Sequence, residues 1–300
     1  MPNTPTSDST LNVGNYCVSF VDLLGQRAAL RNQSLLPATN SDEEKAALHL
    51  TLRNSIGSIA SLQRRAETML KASTPNPDSK LRASLPKELQ DSWDEMQRTK
   101  LTTQRWSDGL VSFACLGDEN IKCHLNDVYG LFTLAGSLCF MGLASKRPIR
   151  GAIEVAWGVE LHPGEIYGAA VARAYELESY VAGYPRIVIG QEMLKFLDLQ
   201  CQNPKTDPFS QFDRALATRC REMILKDADG HTFLHYLGPA FFHAVTHSAH
   251  GELYKKAHQF VVEQLHEHQT AQNSKLAFRY LHLLQYFNAH PPPPTETTNK

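Results

Sequence analysis

The chain has 300 residues and a mass of 33.6 kDa, enough to bury one large core. Its 30 Lys and Arg balance 31 Asp and Glu to a net charge of −1, so no global field draws it to nucleic acid or to an acidic membrane surface. The six cysteines (Cys17, Cys115, Cys123, Cys139, Cys201, Cys220) form no CxxC pair or zinc spacing, and the polar first ten residues carry no apolar leader; a reduced, cytoplasmic protein is expected.

Residues 1–14 and 289–300 are rich in Pro, Thr, Asn and Ser and are expected to be disordered. Tyr16 to Val21 is a β-branched and aromatic run that ends at Asp22 and is followed by Gly25, which reads as a buried first strand turning into a loop. Ser41 with Glu44 forms a capping-box pattern, and Ala47, Leu48, Leu52, Ile56 and Ile59 recur at helical spacing, predicting one helix from Ser41 to Leu70. Residues 72–92 carry Pro75, Pro77 and Pro86 among polar neighbours and read as a surface insertion.

Leu101 to Trp106 and Leu110 to Leu116 are strand-like runs joined by Ser107-Asp108-Gly109, and an Asp-Gly step between such runs is a strong hairpin signal. The next segment, Val128 to Ala144, is seventeen uncharged residues. It is short for a bilayer span, and its glycines and hydroxyls favour a buried or subunit-interface helix without membrane insertion.

A strand is expected over Ile149 to Val159, a short strand or turn at Gly164 to Gly168, a helix over Ala169 to Val181 and a strand at Arg186 to Ile189. A short helix then precedes a second hairpin around Asp227-Ala228-Asp229-Gly230. Glu252 to Phe287 reads as a long helix with a break near Asn273. The order predicts an α+β fold with a mainly antiparallel sheet over residues 15–240, and a helical extension over 241–288.

Asp22 and Asp108 carry the chemistry. Each closes an apolar run beside a tight turn, and two carboxylates from neighbouring strands offer the hard oxygen ligands that magnesium or manganese takes together with substrate phosphates. An aspartate in an Asp-Gly step is otherwise simply a turn residue. His243, His247 and His250 fall at helical spacing, but three histidines among thirteen make a weak metal signal.

In order, Phe20-Val21-Asp22-Leu23-Leu24-Gly25, Trp106-Ser107-Asp108-Gly109, Arg150-Gly151-Ala152-Ile153 and Gly164-Glu165-Ile166-Tyr167-Gly168 with the Arg173-Ala174-Tyr175-Glu176-Leu177-Glu178 helix resemble the class III nucleotide cyclase catalytic domain. Within it the chain is most similar to the bacterial pyrimidine cyclases of Pycsar anti-phage defence. The resemblance implies a palm-type, ferredoxin-like sheet and a homodimer with active sites at the subunit interface. The implied reaction takes a nucleoside triphosphate to a 3',5'-cyclic monophosphate and pyrophosphate, with UTP preferred over CTP.

It further implies that Asp22 and Asp108 bind two Mn2+ or Mg2+ ions, with the Leu23 carbonyl as a further ligand and the backbone of Leu24, Gly25 and Gln26 near the phosphates. The purine-reading lysine and aspartate of adenylate cyclases are replaced here by Gln104 and Glu165. The transition-state asparagine and arginine fall on Ala172 and Glu176. Arg173, on nearly the same helical face as Glu176, is the candidate to supply the missing positive charge. Gln104, Arg105 and Trp106 are candidates for reading the base, although strand alternation puts only Gln104 and Trp106 on one face. Arg150 and Lys226 are candidates for the triphosphate. The lost transition-state pair motivates a second reading, a catalytically inactive cyclase-fold binding module; a purine cyclase and another two-metal phosphoryl enzyme on the related palm-like fold are the further alternatives.

Overall fold

The computed structural model describes residues 13–26, 41–73, 101–117, 125–245 and 250–292, with isolated positions between 83 and 94. Residues 1–12 and 293–300 of the proposed tails and most of the 72–92 segment lie outside them, whereas Val13 and Gly14, expected to be disordered, open the first strand and Ala289 closes the last helix.

Strand β1 (Val13–Leu23) is longer than the apolar run that announces it and is buried on both faces. This is why the run is continuous rather than alternating. Two helices follow, α1 (Asp42–Asn54) and α2 (Ile56–Ser73), where the periodicity predicts one. Ser41 does cap the first, accepting from the Glu44 N–H at 3.2 Å. The break falls at Ser55, whose hydroxyl bonds back to the Thr51 carbonyl at 3.0 Å, while Ser58 does the same to Asn54 at 2.7 Å; such back-bonding competes with the helical ladder.

Strands β2 (Thr102–Trp106) and β3 (Gly109–Gly117) form a hairpin, and α3 (Leu125–Ala144) runs through the core. By length and composition α3 could cross a membrane. Instead it is packed among α2, α6, α7 and α8, with Val128, Leu131, Phe132, Cys139 and Leu143 fully buried. Next come β4 (Ile149–His162), β5 (Glu165–Tyr167), α4 (Ala169–Glu176) and a π-helical turn (Leu177–Val181). They lead to β6 (Ile187–Ile189), α5 (Gln191–Cys201), α6 (Pro208–Glu222), β7 (Ile224–Lys226) and β8 (Thr232–Leu234).

The chain continues through α7 (Pro239–Val245), α8 (His250–Thr270) and α9 (Ser274–Ala289). Asn273 ends the long helical run by capping α9, its side chain accepting from the Leu276 N–H at 3.2 Å.

The eight strands form one sheet, ordered β2-β3-β1-β4-β6-β8-β7 with β5 paired to β4. All pairs are antiparallel except β4 with β6, so the fold is α+β with a mainly antiparallel sheet. One face carries the main core against α3, and the other carries Tyr16, Val18, Phe20, Val111 and Phe113 beneath Ala170, Val171 and Ala174 of α4.

Two glycines let the flanking strands close tightly on β1. A Cβ on Gly151 would lie 2.5 Å from the Phe20 carbonyl oxygen, and one on Gly109 would lie 2.9 Å from that of Val21. Both obstacles are backbone of a central strand, which cannot step aside. Gly151→Ala is therefore expected to lose about 2 kcal/mol in denaturant unfolding. Gly57→Ala serves as the control, since an added Cβ there meets nothing nearer than 3.9 Å; it should be neutral or stabilising.

Candidate active site

Asp22 is the penultimate residue of β1 and sits between two neighbours in register, Gly109 of β3 and Arg150 of β4. Asp108 immediately precedes Gly109 in the β2–β3 turn, so the topology brings the two aspartates to one end of the sheet. The turn differs from the sequence expectation. Trp106 pairs with Gly109, which makes Ser107 and Asp108 the two loop residues, and Ser107 takes the positive φ of 52°. Gly109 is inside the strand, where its missing Cβ serves the close approach to β1.

The carboxylates feel one another. Burial first, then the charges of Asp108 and Glu178, push the Asp22 carboxyl up to about 6, against the opposing pull of Arg150. A carboxyl raised in the folded state binds protons there that the unfolded chain has released. The stability this gives is full below pH 3.8 and lost as pH rises through about 6. Asp22→Asn is therefore expected to melt roughly 2–4 °C higher at pH 7, after discounting for the group's partial exposure, with the gap shrinking at pH 4. Thermal melts of the metal-free protein at both values check this.

Glu178, in the π-helical turn, is 1% exposed and was not singled out by sequence reasoning. Its carboxylate accepts from Arg150 Nε and, at 2.8 Å, from the Ser179 hydroxyl. A charged group this deep needs such partners. A buried carboxylate behind a helix that lengthens into a π-turn is set by packing and leaves little trace in sequence, whereas Arg150, its partner, was visible.

The other candidates divide by position. Leu23 is buried, Gly25 adopts a φ of 89°, and Gln26 is 8% exposed with its Oε1 lacking a hydrogen-bond partner among the described residues. Gln104 lies on the α4 face, and its Oε1 accepts from the Ile166 N–H at 3.0 Å, which ties β2 to β5 and leaves the amide NH2 as the group free to meet a ligand. Glu165 is next to that bond and exposed. Trp106 is 42% exposed and meets Phe20 edge-on at 6.2 Å; Phe20 in turn meets Tyr175 at 5.4 Å. Arg105 points to the other face and pairs with Glu67 of α2 at 2.9 Å, away from Gln104.

Two further cations are candidates. Arg173 is exposed on α4, and the charge that couples to it is Glu192 at the start of α5. Lys226 ends β7, four strands from β1 in the sheet order, roughly 19 Å at normal strand spacing.

Among the described residues no group of three or more His, Cys, Asp or Glu side chains is arranged to hold a metal ion by itself, and His247 lies outside the described residues. Two hard carboxylates at one sheet end, one of them pushed up by burial and then by the charge of the other, form a donor set that fits magnesium or manganese bound jointly with phosphate oxygens. No family model matches the chain, and no curated protein matches it. Among solved structures, the adenylyl cyclase CyaB from P. aeruginosa is similar at 11% identity and a TM-score of 0.37, over 62% of this chain and 81% of that one.

Proposed function

We propose that the protein is a divalent-metal-dependent nucleotide cyclase of the class III kind. The observation that carries this reading is the pairing of Asp22 with Asp108 at one sheet end, with Asp22 held at a pKa of about 6. At pH 7 Asp22 is then largely ionised, and a cation relieves its repulsion with Asp108. Divalent ions held by Asp22, Asp108 and the Leu23 carbonyl would supply Lewis acidity at the ribose 3'-oxygen and the α-phosphate.

In the reaction, the 3'-oxygen loses its proton and bonds to the α-phosphorus while the bond from that phosphorus to the pyrophosphate oxygen breaks. Cyclic monophosphate, pyrophosphate and a proton leave. Arg150, beside Asp22, orients phosphate oxygens with the donors that Glu178 does not use. Gln104 offers its amide NH2 to a base carbonyl, with Glu165 next to it as an acceptor, and Trp106 supplies a stacking face.

Arg173 fits the reaction in a homodimer, where an exposed α4 presents it to the partner's Asp22 and Asp108 and stabilises charge on the pentavalent phosphorus. Trp106, Tyr167, Tyr175 and Tyr180, all at least 41% exposed, are the aromatic surface such a contact would bury. The preference for UTP over CTP, and the role in anti-phage signalling, rest on the sequence resemblance alone.

Incubating the protein with Mn2+ and each of UTP, CTP, ATP and GTP, followed by mass spectrometry, tests the reading; cUMP is the expected main product. A dominant cAMP signal would replace it with a purine cyclase. Metal-dependent binding of triphosphate without turnover would favour the inactive binding module.

A further inference from the structure

The C-terminal helix α9 reaches the same end of the sheet. Gly151 donates to the Arg186 carbonyl at 2.9 Å and is in register with Ile187, so Arg186 stands beside Arg150, one strand further from Asp22. Arg186 binds Asp227 and Asp229 of the β7–β8 turn. Asp227 in turn takes His282 Nε2 of α9 at 2.7 Å, and the His282 ring meets Tyr184 edge-on at 5.1 Å. This chain of contacts pins α9 at His282, next to the strand ends that carry Asp22 and Arg150.

Arg279 is three residues before His282 and hence on the same helical face. It is half-buried and forms no hydrogen bond or ion pair among the described residues. Burial, and then the Arg150 charge, lower its pKa. Arg150 has Glu178 and Arg186 has two aspartates, whereas Arg279 faces another guanidinium with no carboxylate of its own. A half-buried guanidinium that feels the charge of Arg150, itself in register with Asp22, offers with it a fork for an oxyanion carrying several charges.

We infer that Arg279 of α9 binds the distal phosphates of the triphosphate together with Arg150, so that the C-terminal helical extension is part of the substrate site. This rests on the reading of Asp22 and Asp108 as a nucleoside triphosphate site. A positioning role confined to packing would not involve an arginine with no partner in the fold; an anion-binding role does. Because the extension is pinned through Asp227, the β7–β8 turn becomes the hinge on which this part of the site depends.

The test is calorimetric binding of inorganic tripolyphosphate, with Mn2+ present, to the full chain and to its Arg279→Gln, Arg279→Lys and Asp22→Asn variants. The expected result is a roughly 10- to 100-fold weaker affinity for Arg279→Gln, partial recovery with Arg279→Lys, and an unchanged or higher melting temperature, with KM for the triphosphate rising more than kcat falls. Wild-type affinity in Arg279→Gln, alongside loss in Asp22→Asn, would overturn the inference and leave the cyclase reading standing. Absence of tripolyphosphate binding by the wild-type chain would overturn both.

Discussion

Asp22→Asn and Asp108→Asn are each expected to lower manganese-dependent formation of cyclic nucleotide by about 10³-fold or more, while leaving the protein folded. The two aspartates come from different strand ends and meet only because β1 lies between β3 and β4. Neither change touches the core, and the first removes a carboxylate held above its ordinary range by burial and by the charges of Asp108 and Glu178. Activity and stability should therefore move in opposite directions, a pattern that general unfolding does not produce. The Asp22→Asn/Asp108→Asn double variant should be scarcely worse than either single one, because groups that act as a unit fail as a unit. Initial rates across a manganese titration, with melting curves for the same samples, measure both. Retention of full activity in either variant would remove the aspartate pair from the mechanism.

The pieces of this site were legible in the chain to different degrees, and the difference is physical. Asp22 stood out because it ends a run buried on both faces, and a charged side chain there is conspicuous. The hairpin was visible from its Asp-Gly step, but the reason for the glycine was not: Gly109 sits in the strand because the Val21 carbonyl approaches it, which is a consequence of how β1 packs. Strand alternation correctly separates Gln104 from Arg105, and Glu67 then claims the arginine. What sequence could not supply were the tertiary pairings. Arg150 was visible as a cation, but its partner Glu178 depends on a π-helical turn placing that carboxylate under the strand end. Arg173 and Lys226 were chosen for charge and motif position; the sheet order sets Lys226 apart from the aspartates, and the structure couples Arg173 to Glu192. The break at Ser55 was hidden because serine hydroxyls compete with a helix only when they turn back onto its carbonyls.

Arg186→Met is expected to be the most destabilising single substitution at this end of the sheet, costing about 3–5 kcal/mol. The Arg186 side chain is 2% exposed, and each part of its guanidinium is engaged. Nε donates to the Ala182 carbonyl at 2.9 Å, Nη2 to the Val181 carbonyl at 2.8 Å and to Asp229 at 2.5 Å, and Nη1 to Asp227. The Tyr184 ring lies 4.6 Å beneath it. Burial works against the charge of Asp227, yet Tyr184, His282 and the Ala228 N–H hold its carboxyl below the usual range, so it stays ionised at neutral pH. Removing the arginine would leave that carboxylate 9% exposed without its main counter-charge, together with two bare carbonyls. Arg186→Lys keeps the charge but cannot reach carbonyls and carboxylates in one planar fork, and should recover only part of the loss. Pairing Arg186→Met with Asp227→Asn should recover some stability by removing the stranded charge, and a double-mutant cycle in denaturant isolates the coupling. Because Asp227 also anchors His282, the same substitution should loosen α9. Hydrogen exchange across residues 274–289 should then rise in Arg186→Met well beyond what global destabilisation explains, and an unchanged exchange profile there would separate the arginine from the docking of the helix.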